Sequence, residues 1–188
     1  MRVVIGYESM YGNTRKVADA IATAFAANDA VSVVPVSALA ADAADADLLI
    51  VGVPTHAHGL PRPSSRRAAV DSASKNRTLH LDDSATDTGV REWLEELPSP
   101  VSACVATYDT RFRLAAWLVG HPACAVARQL ARRGGKVVTR PTSFFVDKSQ
   151  RLRPGELERA PGWGAQVRDA AAARNSSRDN TDRKKVRT

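Results

Sequence analysis

"GYESMYGNTRKVADAIA", residues 6–22, decides how the chain is read. It follows directly on "RVVIGY", residues 2–7, an apolar run of the kind found in a strand buried on both faces. Beyond the turn, Val17, Ile21, Ala24 and Phe25 recur at helical spacing. Ser9, Gly12, Asn13 and Thr14 crowd the junction. Two readings fit them. Asn and Thr are ordinary helix caps. Equally, free N–H groups at a helix start, helped by the helix dipole, favour an anion. Ser9, Asn13 and Thr14 would add side-chain donors, and Gly12 would let the backbone wrap a phosphate monoester closely. The stretch is not a Walker A loop: Gly6 and Gly12 are one residue too far apart, and Asn13 stands where lysine is needed. Nor is it the G-x-G-x-x-G dinucleotide pattern.

Working outward, strand and helix alternate. "VSVVPV", 31–36, reads as a second strand, at a sheet edge because Pro35 cannot donate to a ladder. An alanine-rich helical segment precedes a third strand at Leu48–Val53. The stretch 56–100 is less regular, with helices predicted at "RRAAVDSAS" and "VREWLEEL". Residues 101–107 form the fourth strand. Pro122 then opens a helix with Ala123, Val126, Ala127 and Leu130 on one face, closed by Gly134-Gly135. "KVVTRPTSFFV" supplies a fifth strand in two pieces broken at Pro141, and a last helix, interrupted at Pro161-Gly162, runs to about Ala173. This pattern specifies an α/β fold, a doubly wound five-stranded parallel sheet. The domain is expected over 1–173. Residues 174–188 carry six basic and two acidic side chains and no periodicity, and are expected to be a disordered basic tail.

At 188 residues, with 44% hydrophobic and 25% charged side chains, one soluble domain is expected. No apolar run reaches the ~18 residues of a membrane span, and no signal peptide is visible at Met1. The protein is therefore expected to be cytoplasmic, with Cys104 and Cys124 as reduced thiols. His56, His58, His80 and His121 make no metal-ligand spacing with either cysteine. A net charge of +7 and a pI near 9.9 suit an acidic partner. Without an aromatic-rich strand or a recognition helix, nucleic acid is not the expected one.

In a doubly wound sheet ligands sit beyond the carboxyl ends of the strands. Three polar segments arrive there: "ESMYGNT", "PTHAHG" and "TYDTRF". On these residues, and on "DADLLIVGVPTHAHG", "GKVVTRPTSFFV" and "GELERAPGWG", the chain resembles the flavodoxin family over residues 1–170. The family's flavin-phosphate loop has the form [ST]-x-[ST]-x-G-N-T or a close variant, and "SMYGNT" keeps Ser9, Gly12, Asn13 and Thr14. The resemblance implies strand order 2-1-3-4-5, non-covalent FMN and electron transfer. It implies a phosphate loop at Ser9, Met10, Tyr11, Gly12, Asn13 and Thr14. A second flavin loop falls at Pro54, Thr55, His56, Ala57, His58 and Gly59, and a third at Thr107, Tyr108, Asp109, Thr110 and Arg111. The second loop has no tryptophan to stack on flavin, and Tyr108 is the only aromatic residue of the third.

Tyr108 is expected either to stack on the flavin ring or to pack at the rim. Arg111 either stabilises negative charge on reduced flavin or pairs with Asp109. Trp93, Trp117 and Trp163 are expected in the core or an interface. Arg62, Arg66, Arg67, Lys75 and Arg77 form a basic group beside the second loop, suited to an acidic redox protein or to solvent. Three functions remain open. One is a flavin electron carrier. Another is an NAD(P)H-dependent reductase of quinones or similar small-molecule acceptors, with segment 60–100 building the second site alone or across a homodimer. The third is a flavin-free binding module. FMN is the expected cofactor, and the sequence does not by itself separate it from a deazaflavin.

Overall fold

The computed structural model describes residues 1–39, 43, 45–55, 59–97, 99–114 and 120–185. Strands β1 (Arg2–Tyr7), β2 (Ala30–Pro35), β3 (Leu48–Pro54), β4 (Cys104–Phe112), β5 (Lys136–Val137) and β6 (Thr142–Val146) form one parallel sheet. Its order is β2-β1-β3-β4-β5, with β6 also paired to β4. β5 and β6 are two lengths of a single fifth strand, lying beside Cys104–Val105 and Tyr108–Phe112 on either side of Pro141. Pro35 ends β2 at the open edge, as its missing donor requires.

Period-two alternation divides the apolar strand residues between two helical layers. Val3, Ile5, Leu48 and Ile50 pack with Val17 and Ile21 of α1 (Asn13–Ala22) and with Trp163 and Val167 of the last helix. Val4, Leu49, Val51 and Val105 pack on the other face, against helices α3 (Val90–Glu96) and α4 (Pro122–Arg132). Helix α2 (Pro63–Lys75) buries only Arg66 and Ala69. Each fully buried Val, Leu or Ile contributes roughly 1.5–3 kcal/mol, so these two layers dominate the stabilisation. Trp93 and Trp163 are core residues, as expected; Trp117 lies outside the described residues.

Three local expectations are corrected. Helix α1 stops at Ala22 rather than at Asn28-Asp29, and Asp29 instead holds the Met1 ammonium at 3.0 Å. After β2, Val36–Ala38 is a 3-10 turn; the alanine-rich helical segment expected beyond it includes residues 40–42 and 44, which lie outside the described residues. The last helix, α5 (Glu156–Lys185), runs unbroken through Pro161 and past Ala173. Burial of Ala160, Trp163, Val167 and Ala171 against the sheet layer holds it across the proline. Finally, β4 begins at Cys104 and continues to Phe112, because Thr110 still pairs with Pro54 and Phe112 with Val146. All of "TYDTRF" is therefore strand, not loop.

Gly52 on β3 faces the Tyr108 ring so closely that any Cβ there would overlap Cζ and Oη. Tyr108 is fully buried and cannot give way, since it meets Phe144 edge-on at 5.7 Å and Trp163 at 5.9 Å. Gly52→Ala should lower the unfolding free energy by about 1–3 kcal/mol, read from urea midpoints at unchanged m-value; an unshifted midpoint would show the ring free to move.

Candidate functional site

The turn between β1 and α1 is shaped by Gly12, whose φ of 78° lies in the left-handed region and is followed directly by helical Asn13. Such a left-to-right-handed step turns successive N–H groups inward to make an anion-binding concavity. Among the described residues, the backbone N–H groups of residues 9 to 15 have no acceptor; Lys16 is the first to find one, the Gly12 carbonyl at 3.0 Å. Ser9 Oγ, buried beside them, also has no partner.

The other two predicted donors are engaged. Asn13 Nδ2 donates to the Gln150 carbonyl at 2.7 Å, tying the turn to the loop after β6. Thr14 Oγ1 lies 2.9 Å from Thr110 Oγ1 of β4, and both hydroxyls are buried. Met10 is buried, and its carbonyl accepts the Asp82 N–H at 2.9 Å, while Tyr11 donates weakly to the Ala69 carbonyl at 3.4 Å. Segment 82–87 thus closes one side of the loop. The Asp82 carboxylate lies near Gly12, with Oδ1 accepting from the Ser84 N–H and hydroxyl at 3.1 and 2.7 Å.

Of the second segment, Pro54 ends β3, and Thr55 donates its N–H to the Thr110 carbonyl at 2.9 Å. Thr55 Oγ1 is a further buried hydroxyl without a partner at this edge. Gly59 is half-buried; His56, Ala57 and His58 lie outside the described residues. In the third segment, strand alternation separates the predicted residues. Tyr108 and Thr110 point toward α1; Thr107 and Asp109 point toward α4, where Thr107 Oγ1 donates to the Ala123 carbonyl and Asp109 accepts the Ala123 N–H. Tyr108 cannot stack on a ligand, because it is 0% exposed and its hydroxyl donates to the Thr14 carbonyl at 2.8 Å. Burial pushes its phenol well above the usual range. Arg111 donates to Ser143 Oγ at 2.9 Å and to the Leu114 carbonyl at 2.8 Å, and it lies 3.6 Å from Asp109, the pairing that was its alternative role.

The flavodoxin family model matches residues 5–110, from the middle of β1 to the end of this site. The chain belongs to the flavodoxin family. No curated protein sequence matches it. Its fold is similar to that of a flavodoxin from the domain Archaea, at TM-score 0.60 and 14% identity over 92% of this chain and 99% of that one. It is also similar to a WrbA-like flavodoxin protein from Agrobacterium tumefaciens, at TM-score 0.56 and 19% identity over 92% and 98%. A third similarity is to rubredoxin:oxygen oxidoreductase from Desulfovibrio gigas, at TM-score 0.58 and 18% identity, covering 92% of this chain but 36% of that one.

Beneath the loop of this flavodoxin-family chain lies a charge cluster that the sequence did not disclose. Glu8, next to Ser9, is buried; Val90 N–H donates to it at 2.9 Å and Arg66 at 3.3 Å. Arg66 also donates to Glu92 at 3.0 Å, and Glu92 accepts the Gly89 N–H at 3.1 Å. Arg66 is therefore a buried bridge rather than a member of a surface basic group; Arg62, Arg67, Lys75 and Arg77 remain exposed. The only advance signal was an acid directly at a strand end.

Burial raises the Glu8 carboxyl above its ordinary range, with Val90 and Arg66 opposing the shift. A carboxyl raised on folding favours the native state while it is protonated, and that contribution is lost as pH climbs from the unfolded to the folded pKa. Wild type should accordingly lose stability relative to Glu8→Gln across that window in urea titrations. A difference that grows in favour of wild type with rising pH would mean that Arg66 outweighs burial.

Proposed function

We propose that the chain binds FMN non-covalently, with its phosphate on residues 9–15, and passes electrons between redox partners. The observation that carries this reading is the unpartnered, buried Ser9 Oγ beside a run of unpaired N–H groups. A buried polar atom left without a partner costs about 1–3 kcal/mol, and a phosphate oxygen would relieve it. The donor set is neutral, and it suits a phosphate monoester because N–H groups, a hydroxyl and a helix dipole converge on one point.

In this reading Ser9, Met10, Tyr11, Gly12, Asn13 and Thr14 form the phosphate cradle. Gly12 supplies the left-handed step, and Asn13 and Thr14 brace the loop against the Gln150 carbonyl and Thr110. Pro54, Thr55, His56, Ala57, His58 and Gly59 flank the isoalloxazine, with Thr55 Oγ1 available as a donor. Thr107, Asp109 and Arg111 support the far side from β4, and Tyr108 serves the core. Bound FMN supplies the redox chemistry, while the protein orients it and sets the charge around it. The net charge of +7 and the exposed Arg62, Arg67, Lys75 and Arg77 support an acidic redox protein as partner, whose steering weakens with salt.

Titrating FMN into the flavin-free protein should quench flavin fluorescence, and Ser9→Ala should weaken binding by roughly 1.5–3 kcal/mol, about ten- to a hundredfold. Absence of quenching, or equal affinity in the variant, refutes the phosphate cradle. Mixed anaerobically with NAD(P)H, the loaded protein should stay yellow. Rapid bleaching would make it a reductase instead.

A further inference from the structure

Asp109 is 0% exposed although it is a carboxylate, and the phosphate cradle, on the opposite face of β4, does not use it. Its Oδ2 accepts the Ala123 N–H at 3.2 Å and lies 3.0 Å from Nδ1 of His121, the residue preceding α4. That second contact is close without being aligned as a hydrogen bond. His121 Nε2 lies 3.5 Å from Ser143 Oγ, which accepts Arg111 Nε–H at 2.9 Å, and the same Nε is 3.6 Å from Asp109 Oδ1. Four side chains therefore close a ring, Asp109–His121–Ser143–Arg111. The parallel register that sets Asp109 opposite Ser143 builds it, together with the start of α4.

Donor and acceptor capacities give the ring a direction. A guanidinium only donates and a carboxylate only accepts. Arg111 fills one lone pair of Ser143 Oγ, and the hydroxyl proton has two acceptors in reach, the Asp109 carboxylate and His121 Nε2; the ring runs in one direction when it points at His121. Neutral His121 then carries its own proton on Nδ1, toward Asp109, and Nε2 is left as the basic atom. With His121 neutral the ring has one positive and one negative charge; a proton on Nε2 makes it net positive, and the Ser143 hydroxyl turns to accept from both neighbours. His121 is 28% exposed, so the proton enters from water there and not at Asp109. Among the described residues, Cys124 and Arg128 of α4 are further titratable or charged groups, Cys124 feeling Asp109, Arg128 and Arg111. Burial and Asp109 push the Cys124 thiol up, so it stays uncharged.

The ring sits at the edge where the proposed flavin loops leave the sheet: Asp109 pairs with Val53, and the next residue, Thr110, holds both Thr14 and Thr55. We propose that His121 is a redox-linked proton-holding residue, taking a proton on Nε2 when negative charge is added at this edge. The inference rests on the flavin reading. One electron passes from a reductant, dithionite in the test, to the bound flavin, and one proton passes from water to His121 Nε2. No covalent bond between protein and flavin forms or breaks.

The test follows the flavin midpoint potential against pH, together with the His121 ring nitrogens by 15N NMR. In the wild type the potential should fall with pH more steeply than in His121→Gln over the range where histidine titrates. His80→Gln, an exposed control, should match wild type. In flavin-free protein at high pH the ring should carry its proton on Nδ1, and Asp109→Asn should remove that preference. Should Asp109→Asn fail to fold, Ser143→Ala, which leaves Asp109 in place, should retain the Nδ1 proton and change the potential's pH dependence. Equal slopes in wild type and His121→Gln overturn the coupling. A proton on Nε2 overturns the ring assignment. Absence of FMN binding sinks the flavin reading and the coupling with it, while the flavin-free spectra still decide the Asp109–His121 pair.

Discussion

The start of α1 is fastened to β4 by two side chains, and the rest of the site takes its position from that link. Thr14 Oγ1 meets Thr110 Oγ1 at 2.9 Å, and Tyr108 Oη donates to the Thr14 carbonyl at 2.8 Å. Both contacts are buried, so neither hydroxyl has water as an alternative, and separating them would leave each unsatisfied. Tyr108 is in turn wedged between Phe144 and Trp163 over a glycine on β3. Helix, loop and central strands are thereby held as one body. The unpaired N–H groups of the first turn keep a fixed direction because the helix cannot roll on the sheet.

Charge is buried on both sides of this link, under different terms. Glu8, Arg66 and Glu92 sit beneath the loop, where an arginine bridges two acids, one just after β1 and one on α3. Asp109, Arg111 and His121 sit on the other face of β4, joined through Ser143. A charge withdrawn from water is tolerated only with close partners, and such clusters are weak sources of net stability. Their presence around a sheet edge that also holds unpartnered hydroxyls is characteristic of sites built for chemistry rather than for folding alone. Arg62, Arg67, Lys75 and Arg77, by contrast, are exposed.

The architecture was readable because it depends on short-range pattern. Val3 to Ile5 and Leu48 to Val53 are apolar on consecutive positions, Val17 and Ile21 recur one helical turn apart, and Pro35 and Pro141 mark an edge and a break. The left-handed turn at Gly12 was readable for the same reason, since Gly12 and the helix start lie within one local segment. Less of the third segment could be read. Tyr108 looks the same in sequence whether it faces a ligand or a core, and the polar residues after Thr107 gave no sign that the strand continued. Pairing with β6, some 30 residues later, is what carried β4 to Phe112.

By itself, then, the sequence determined a doubly wound parallel sheet, its strand order through resemblance, and a glycine turn leading into the first helix. Each depends on residue types within one or two turns or strands. Tertiary structure decided which side of β4 each residue serves, that Arg66 is a buried bridge, and that Asp109, His121, Ser143 and Arg111 form one ring. Those outcomes depend on where a strand ends and on its register with a distant partner. A one-residue slip in register would reverse every side chain between the two faces.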